Sequence, residues 1–228
     1  MCANYEPVLH PERLKQHFGV EGRAVEYCPN ETWPGYLAPF IHTRDRKKGA
    51  APSLSIGQYG LVPHWAKGVQ SGRHTYNARS ETADQLSSFK YAWRAGQRCI
   101  VPLESYFDPC WESGKAVRWR VRRRDGLPMG VAGLWSAWKA SDGAEVLSFT
   151  MLTVNADGHG VMGLMHRPED EKRMVAILPP NQYDQWLDAE PDQMMAFLRC
   201  WPADELVAEA APLVRRIEVP ASPQRVLF

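Results

Sequence analysis

The chain has 228 residues, 44% of them hydrophobic, enough to bury a substantial core without help from disulfides or metals. Its 27 basic and 26 acidic side chains leave a formal net charge of +1, so nucleic-acid binding has no global electrostatic drive and must be held by a local patch. The five cysteines (Cys2, Cys28, Cys99, Cys110 and Cys200) are odd in number, widely separated and free of any CxxC pair, which excludes a disulfide framework or a zinc pattern and implies a reducing, cytosolic setting. Residues 1 to 25 lack a basic start followed by an apolar run. No stretch reaches the ~18 apolar residues of a membrane span, so a soluble, non-secreted protein without a membrane partner is expected.

In chain order, Pro11 to Phe18 reads as a short helix, with proline in its first turn and Gly19 at the C-terminal cap. Pro29 to Pro52 is rich in Pro and Gly and reads as an irregular loop, with Arg44 to Lys48 as an exposed basic tip. Leu54 to Tyr59 is a predicted strand leading into Gly60-Leu61-Val62-Pro63-His64-Trp65. Thr82 and Gln85 have capping-box spacing, and Leu86, Phe89, Tyr91 and Trp93 suggest a helix running to Gly96. Four further runs, Arg98 to Pro102, Ala116 to Arg123, Met129 to Trp138 and Val146 to Val154, are β-branched or aromatic. Turn signals such as Asp125-Gly126 and Asp142-Gly143 separate them, as expected of antiparallel strands. Arg173 to Leu178 is another strand, and Gln182 to Leu187 and Asp192 to Cys200 are short helical segments. The expected fold is α+β, a single domain over residues 1 to 228 with peripheral helices on a curved, largely antiparallel sheet or barrel.

Within the second run, Arg118, Arg120 and Arg122 alternate with apolar residues and share one strand face. Such a strip either faces nucleic acid or is a solvated sheet face paired with carboxylates.

The chemistry begins at Met1-Cys2. Initiator methionine is generally removed when the next residue is small, which would leave an N-terminal cysteine. Its α-amine titrates near ~8, against ~10.4 for lysine, so a useful fraction is neutral and nucleophilic at pH 7. The thiol two carbons away can capture an imine formed by that amine, closing a five-membered thiazolidine at high effective molarity. A cysteine at position two is uninformative alone, its ordinary reading being an incidental thiol.

Five blocks give it context: Met1-Cys2, Gly60 to Ala66, Asn77-Ala78-Arg79-Ser80-Glu81-Thr82, Arg98-Cys99-Ile100-Val101-Pro102, and Met165-His166-Arg167 with Arg173-Met174 leading into Val175 to Pro179. With these blocks in order the chain resembles a SOS response-associated peptidase (SRAP) domain over most of its length. The resemblance implies covalent crosslinking of the N-terminal cysteine to abasic sites in single-stranded DNA, with autoprocessing peptidase and lyase side activities.

By position it implies that Asn77 holds the N-terminus and the sugar, and that Arg79 binds phosphates. His166 would act as general acid, and Asp108 or Glu104 would supply the carboxylate. Asp108 stands at the position of the family's usual glutamate, one methylene shorter. Trp65, Arg167 and Arg173 complete the expected DNA-binding set, Trp65 by stacking on bases unless it is a core residue. No cofactor and no metal are expected. The expected state is a monomer located in a bacterial-type cytoplasm, nucleoid-associated when bound to DNA.

Two departures from the family pattern bear on DNA affinity. Cys2-Ala3-Asn4 stands in place of the common Cys-Gly-Arg, and the charged stretch Pro168-Glu169-Asp170-Glu171-Lys172 lengthens the segment between His166 and Arg173. Rival readings use Cys2 and His166 on an amide, as an N-terminal-nucleophile hydrolase, or make the chain a silent nucleic-acid-binding domain.

Overall fold

The computed structural model describes residues 3–22, 25–43 and 49–213. Among these, the β-branched and aromatic runs form eleven strands of one sheet. They are β1 (Asn4–Pro7), β2 (Leu37–His42), β3 (Ser53–Tyr59), β4 (Asn77–Arg79), β5 (Arg98–Cys110), β6 (Val117–Arg123), β7 (Met129–Lys139), β8 (Glu145–Asn155), β9 (Arg173–Val175), β10 (Ile177–Leu178) and β11 (Leu206–Ala210). The helices are α1 (Pro11–Phe18), α2 (Lys90–Arg94) and α3 (Tyr183–Asp188).

Five strands close on themselves in the order β7-β8-β3-β2-β5, with β5 returning to β7. Closure removes free sheet edges from the centre of the molecule. The pairings are antiparallel except for β3 and β4, which each run parallel to β8. Aromatic rings fill the core: Phe40 and Phe149 stack at 5.3 Å, and Tyr59 lies 5.6 Å from Phe149.

β5 positions the functional end of the sheet. Its first half pairs with β7 from Arg98 to Leu103, and its second half leaves the barrel to pair with β6 from Tyr106 to Cys110. β1 takes the opposite side of that second half, with Asn4 opposite Phe107 and Tyr5 opposite Tyr106. Tyr5 pins β1 in place. Its backbone exchanges two hydrogen bonds with Thr32, and its fully buried ring meets Tyr59 edge-on at 5.1 Å. Burial of one such side chain contributes about 1.5–3 kcal/mol.

Several expected elements differ. α1 spans the expected residues, and Gly19 caps it with φ 67°. The Pro29 to Pro52 loop contains β2, and Arg44 to Lys48 lie outside the described residues. The helix expected from Thr82 to Gly96 forms only as α2, preceded by turns in which Ala83, Leu86 and Lys90 each donate four residues back. Asp192 to Cys200 yields one 3-10 turn, Met194–Phe197. Arg173 to Leu178 breaks at Ala176, whose N–H turns to Leu152 while its carbonyl accepts from Ala132. The arginine strip of β6 is a carboxylate-paired face: Arg118 binds Glu31 (2.6 Å), Arg120 binds Glu6, and Arg122 lies 3.5 Å from Glu209. Three glutamates thus neutralise the strongest cationic run.

Candidate active site

Asp108 is the first β5 residue beyond the end of β1, and on its other side it stands opposite Trp119 of β6. It is 3% exposed, and its Oδ1 lies 3.4 Å from Nε2 of His166, itself 8% exposed. The histidine arrives from a distant segment docked on the end of β5. Trp111 N–H donates to the Leu164 carbonyl (2.9 Å), Met165 bridges Cys110, and His166 N–H donates to the Pro109 carbonyl (2.8 Å). Among the described residues His166 is the one non-glycine with positive φ, at 60°. That left-handed conformation costs roughly 1–3 kcal/mol and persists where surrounding contacts over-determine it. The strain aims the imidazole at Asp108. A contraction of a few tenths of an ångström makes the contact a hydrogen bond along which a proton can move.

Beside this pair lies a cavity of about 250 Å³ lined by Ala3, Asp108, Pro109 and Arg118, among others. Cys2 lies outside the described residues. Its chain neighbour Ala3 lines the cavity. Arg118 places a cation at the wall, its guanidinium 3.3 Å above the Phe107 ring and anchored to Glu31 and the Ala211 carbonyl.

A second set of groups is built on β4, β8 and β9. β4 carries Asn77 opposite Met151 and Arg79 opposite Thr153. Arg79 is half-exposed, and its Nη1 lies 2.6 Å from Oε2 of Glu171. The other oxygen of Glu171 accepts from Arg173 (2.7 Å) and from Asn155 (3.1 Å). Arg173 is 2% exposed and also donates to both oxygens of Glu81 and to the carbonyl and hydroxyl of Thr153. Hydrogen bonding from Arg173 holds the Glu171 carboxyl below its ordinary value. Burial pushes Glu81 up most strongly, but the hydrogen bond and charge of Arg173 together with backbone hydrogen bonds, including that from Asn155, outweigh it and leave that carboxyl lowered too. Among the described residues no group of three or more His, Cys, Asp or Glu side chains is arranged to hold a metal ion.

Comparison with known proteins identifies the family to which this closed barrel belongs. The family model for SOS response associated peptidase (SRAP) matches residues 1–217. The chain belongs to the SRAP family. It is similar to the abasic site processing protein YoqW of Bacillus subtilis, 27% identical over 166 residues and 70% of each chain. It is also similar to the abasic site processing protein HMCES of Gallus gallus, 27% identical over 179 residues, which cover 65% of this chain and 49% of that one. A crystal structure of a protein from Bordetella bronchiseptica, 38% identical, superposes with a TM-score of 0.85 over 93% of this chain and all of the other.

Of the residues expected in the SRAP site, the fold brings Asp108 and His166 together, and Asp108 also lines the cavity reached by Ala3. Glu104 is elsewhere: four residues along β5, about 13 Å at strand spacing, it makes a two-pronged pair with Arg13, both contacts 2.8 Å. Trp65 is 53% exposed, donating from its indole to the Ser87 carbonyl, so it is a surface ring and not a core residue. Arg167 is exposed, with its guanidinium 5.3 Å from the Trp111 ring centre. Arg173 differs from expectation. Its burial and its bonds to Glu81, Glu171 and Thr153 place it beneath the surface, out of reach of a phosphate and behind Arg79. Sequence reasoning missed the direct hold of Glu171 on Arg79. The signal was present in the acidic stretch, but a general repulsion of phosphate does not reveal which cation a particular carboxylate occupies.

Proposed function

We propose that this chain processes abasic sites in DNA by covalent capture, with Cys2 as the reacting residue once Met1 is removed. The Cys2 amine adds to the aldehyde carbon of a ring-opened abasic sugar in single-stranded DNA. Loss of one water gives an imine, and the Cys2 sulfur adds to the imine carbon to close a thiazolidine, its thiol proton passing to the ring nitrogen. Asp108 accepts the ammonium proton that must leave before the amine can attack, and His166 delivers a proton to the sugar oxygen as the ring opens. Arg79 holds a flanking phosphate, Asn77 orients the N-terminus, and the exposed Trp65 stacks on a neighbouring base.

The observation that carries this reading is the position of Ala3. It lines the cavity of Asp108, and Cys2 is its immediate neighbour in the sequence. Relatives named abasic site processing proteins support the substrate class.

Titration with a single-stranded oligonucleotide carrying one abasic site tests it. A covalent product with the mass of protein plus oligonucleotide minus water is expected, lost in Cys2→Ala and in protein retaining Met1. Amide hydrolysis by the same chain without any covalent DNA product would overturn it.

A further inference from the structure

Arg79, the phosphate-binding cation of the reading above, is already occupied by a carboxylate of its own chain. Its Nη1 meets Oε2 of Glu171 at 2.6 Å, and the pair is only partly sheltered, with side-chain exposures of 50% and 31%. Glu171 is not an incidental partner. Its second oxygen is fixed from beneath by Arg173 and Asn155, and Arg173 is in turn fixed by Glu81 and Thr153. The stretch bearing it is tied down as well, Lys172 N–H donating to Asp157 and Lys172 Nζ to the Arg167 carbonyl. A scaffold centred on the buried Arg173 therefore presents one carboxylate oxygen to the exposed guanidinium, in the place a non-bridging phosphate oxygen would take.

We propose that Glu171 is a built-in competitor for the DNA phosphate at Arg79, which keeps affinity for undamaged single strands low and leaves retention on DNA to the covalent bond. This rests on the reading that Arg79 contacts DNA. A half-exposed ion pair is weak enough to be displaced by a phosphate presented with a bound lesion. It is also sufficient to discount a phosphate offered alone, and the displaced carboxylate stays close enough to repel the strand. A protein that bound every exposed strand tightly would be held away from rare lesions. One that binds loosely and reacts covalently is retained where an aldehyde exists.

The test uses an undamaged oligothymidylate as probe and fluorescence anisotropy over a range of salt concentrations. Glu171→Gln keeps the side-chain shape and is expected to tighten binding about two- to fivefold at low salt, the range set by exposed ion pairs. It should also steepen the salt dependence, by at most the ~0.7 in slope that one single-strand phosphate contact carries. In an Arg79→Gln background the same substitution should gain nothing. Glu171→Ala serves as a second variant should the glutamine side chain itself bond to DNA. Unchanged affinity in both variants, or a gain that survives Arg79→Gln, overturns the proposal. Wild-type crosslinking to abasic-site DNA is read separately. If the wild type crosslinks while neither variant tightens, the competitor role fails alone. If the variants tighten while the wild type never crosslinks, the covalent reading fails and the competitor role stands.

Discussion

Asp108 and His166 come from segments 58 positions apart in number, yet their side chains meet at 3.4 Å, both largely buried, where β5 outruns β1. One member of such a pair can take a proton as the other gives one. Asp108→Asn keeps the shape and removes the basicity, and should slow formation of the covalent DNA product by roughly 10²- to 10⁴-fold. Glu104→Gln, which breaks only the Arg13 pair, should leave that rate within about twofold and cost no more than about 1 kcal/mol of stability. Single-turnover gel assays compare the two, and an equal loss in both would show that the carboxylate role is not confined to Asp108.

The Glu81–Arg173–Glu171 network makes stability sensitive to acid. Both carboxyls titrate below the ordinary glutamate value of 4.5 in the folded protein. The unfolded chain therefore binds protons first as the pH falls. Their stabilising contribution is complete above pH 4.5 and is lost as the pH drops through the lowered folded values. Thermal denaturation followed downward from pH 6 should show a melting temperature that falls in this window, and a Glu81→Gln, Glu171→Gln double variant should show a shallower fall. Parallel curves would mean the network is not the acid-sensitive element.

Trp65 exposes half of its surface and makes one indole hydrogen bond, so its removal should cost the fold little. Trp65→Ala is expected to leave the melting temperature nearly unchanged while weakening single-strand binding by about 1–3 kcal/mol, the usual worth of one base stacked on a ring. Calorimetry and anisotropy on the same sample separate the effects. A large loss of stability with no loss of binding would assign the ring a packing role.

Gly60 leads the segment that ends at Trp65. Its φ is 117°, and a Cβ placed there would lie 1.9 Å from the Gly72 carbonyl oxygen. Backbone cannot yield as a side chain does, so Gly60→Ala should cost about 3 kcal/mol from combined strain and overlap. For a domain of this size that is a drop of roughly 6–12 °C in melting temperature. A variant as stable as wild type would show that this corner readily rearranges.

Much of the architecture was legible where local chemistry and tertiary need agree. α1 begins with a proline that has no hydrogen bond to lose and stops at a glycine in the left-handed region, both visible in sequence. β2 was hidden because Pro39 argues against a strand. It is tolerated because β2 pairs with β3 along its length but with β5 only at Ile41 and His42, so Pro39 has no second ladder to serve. The turns that replace the expected helix after Thr82 keep its four-residue spacing without its continuity, a distinction that apolar periodicity does not carry. Within the site, Asp108 and Glu104 are the same kind of group at the same strand parity. What separates them is Arg13, 91 residues before Glu104, a long-range partner without a local mark. The burial of Arg173 is likewise fixed by Glu81, 92 residues away.

The N-terminal strand is held by residues made much later. Glu6 accepts from the Ser105 hydroxyl across 99 positions, and β1 owes its place to β5 along its whole length. During synthesis the first residues are therefore exposed for as long as the ribosome takes to deliver the next hundred, about 5–20 s at 5–20 residues per second. Only then does the cradle around Ala3 exist. If Cys2 captures aldehydes as proposed, the surroundings that would make its amine selective are assembled only after more than half the chain is translated.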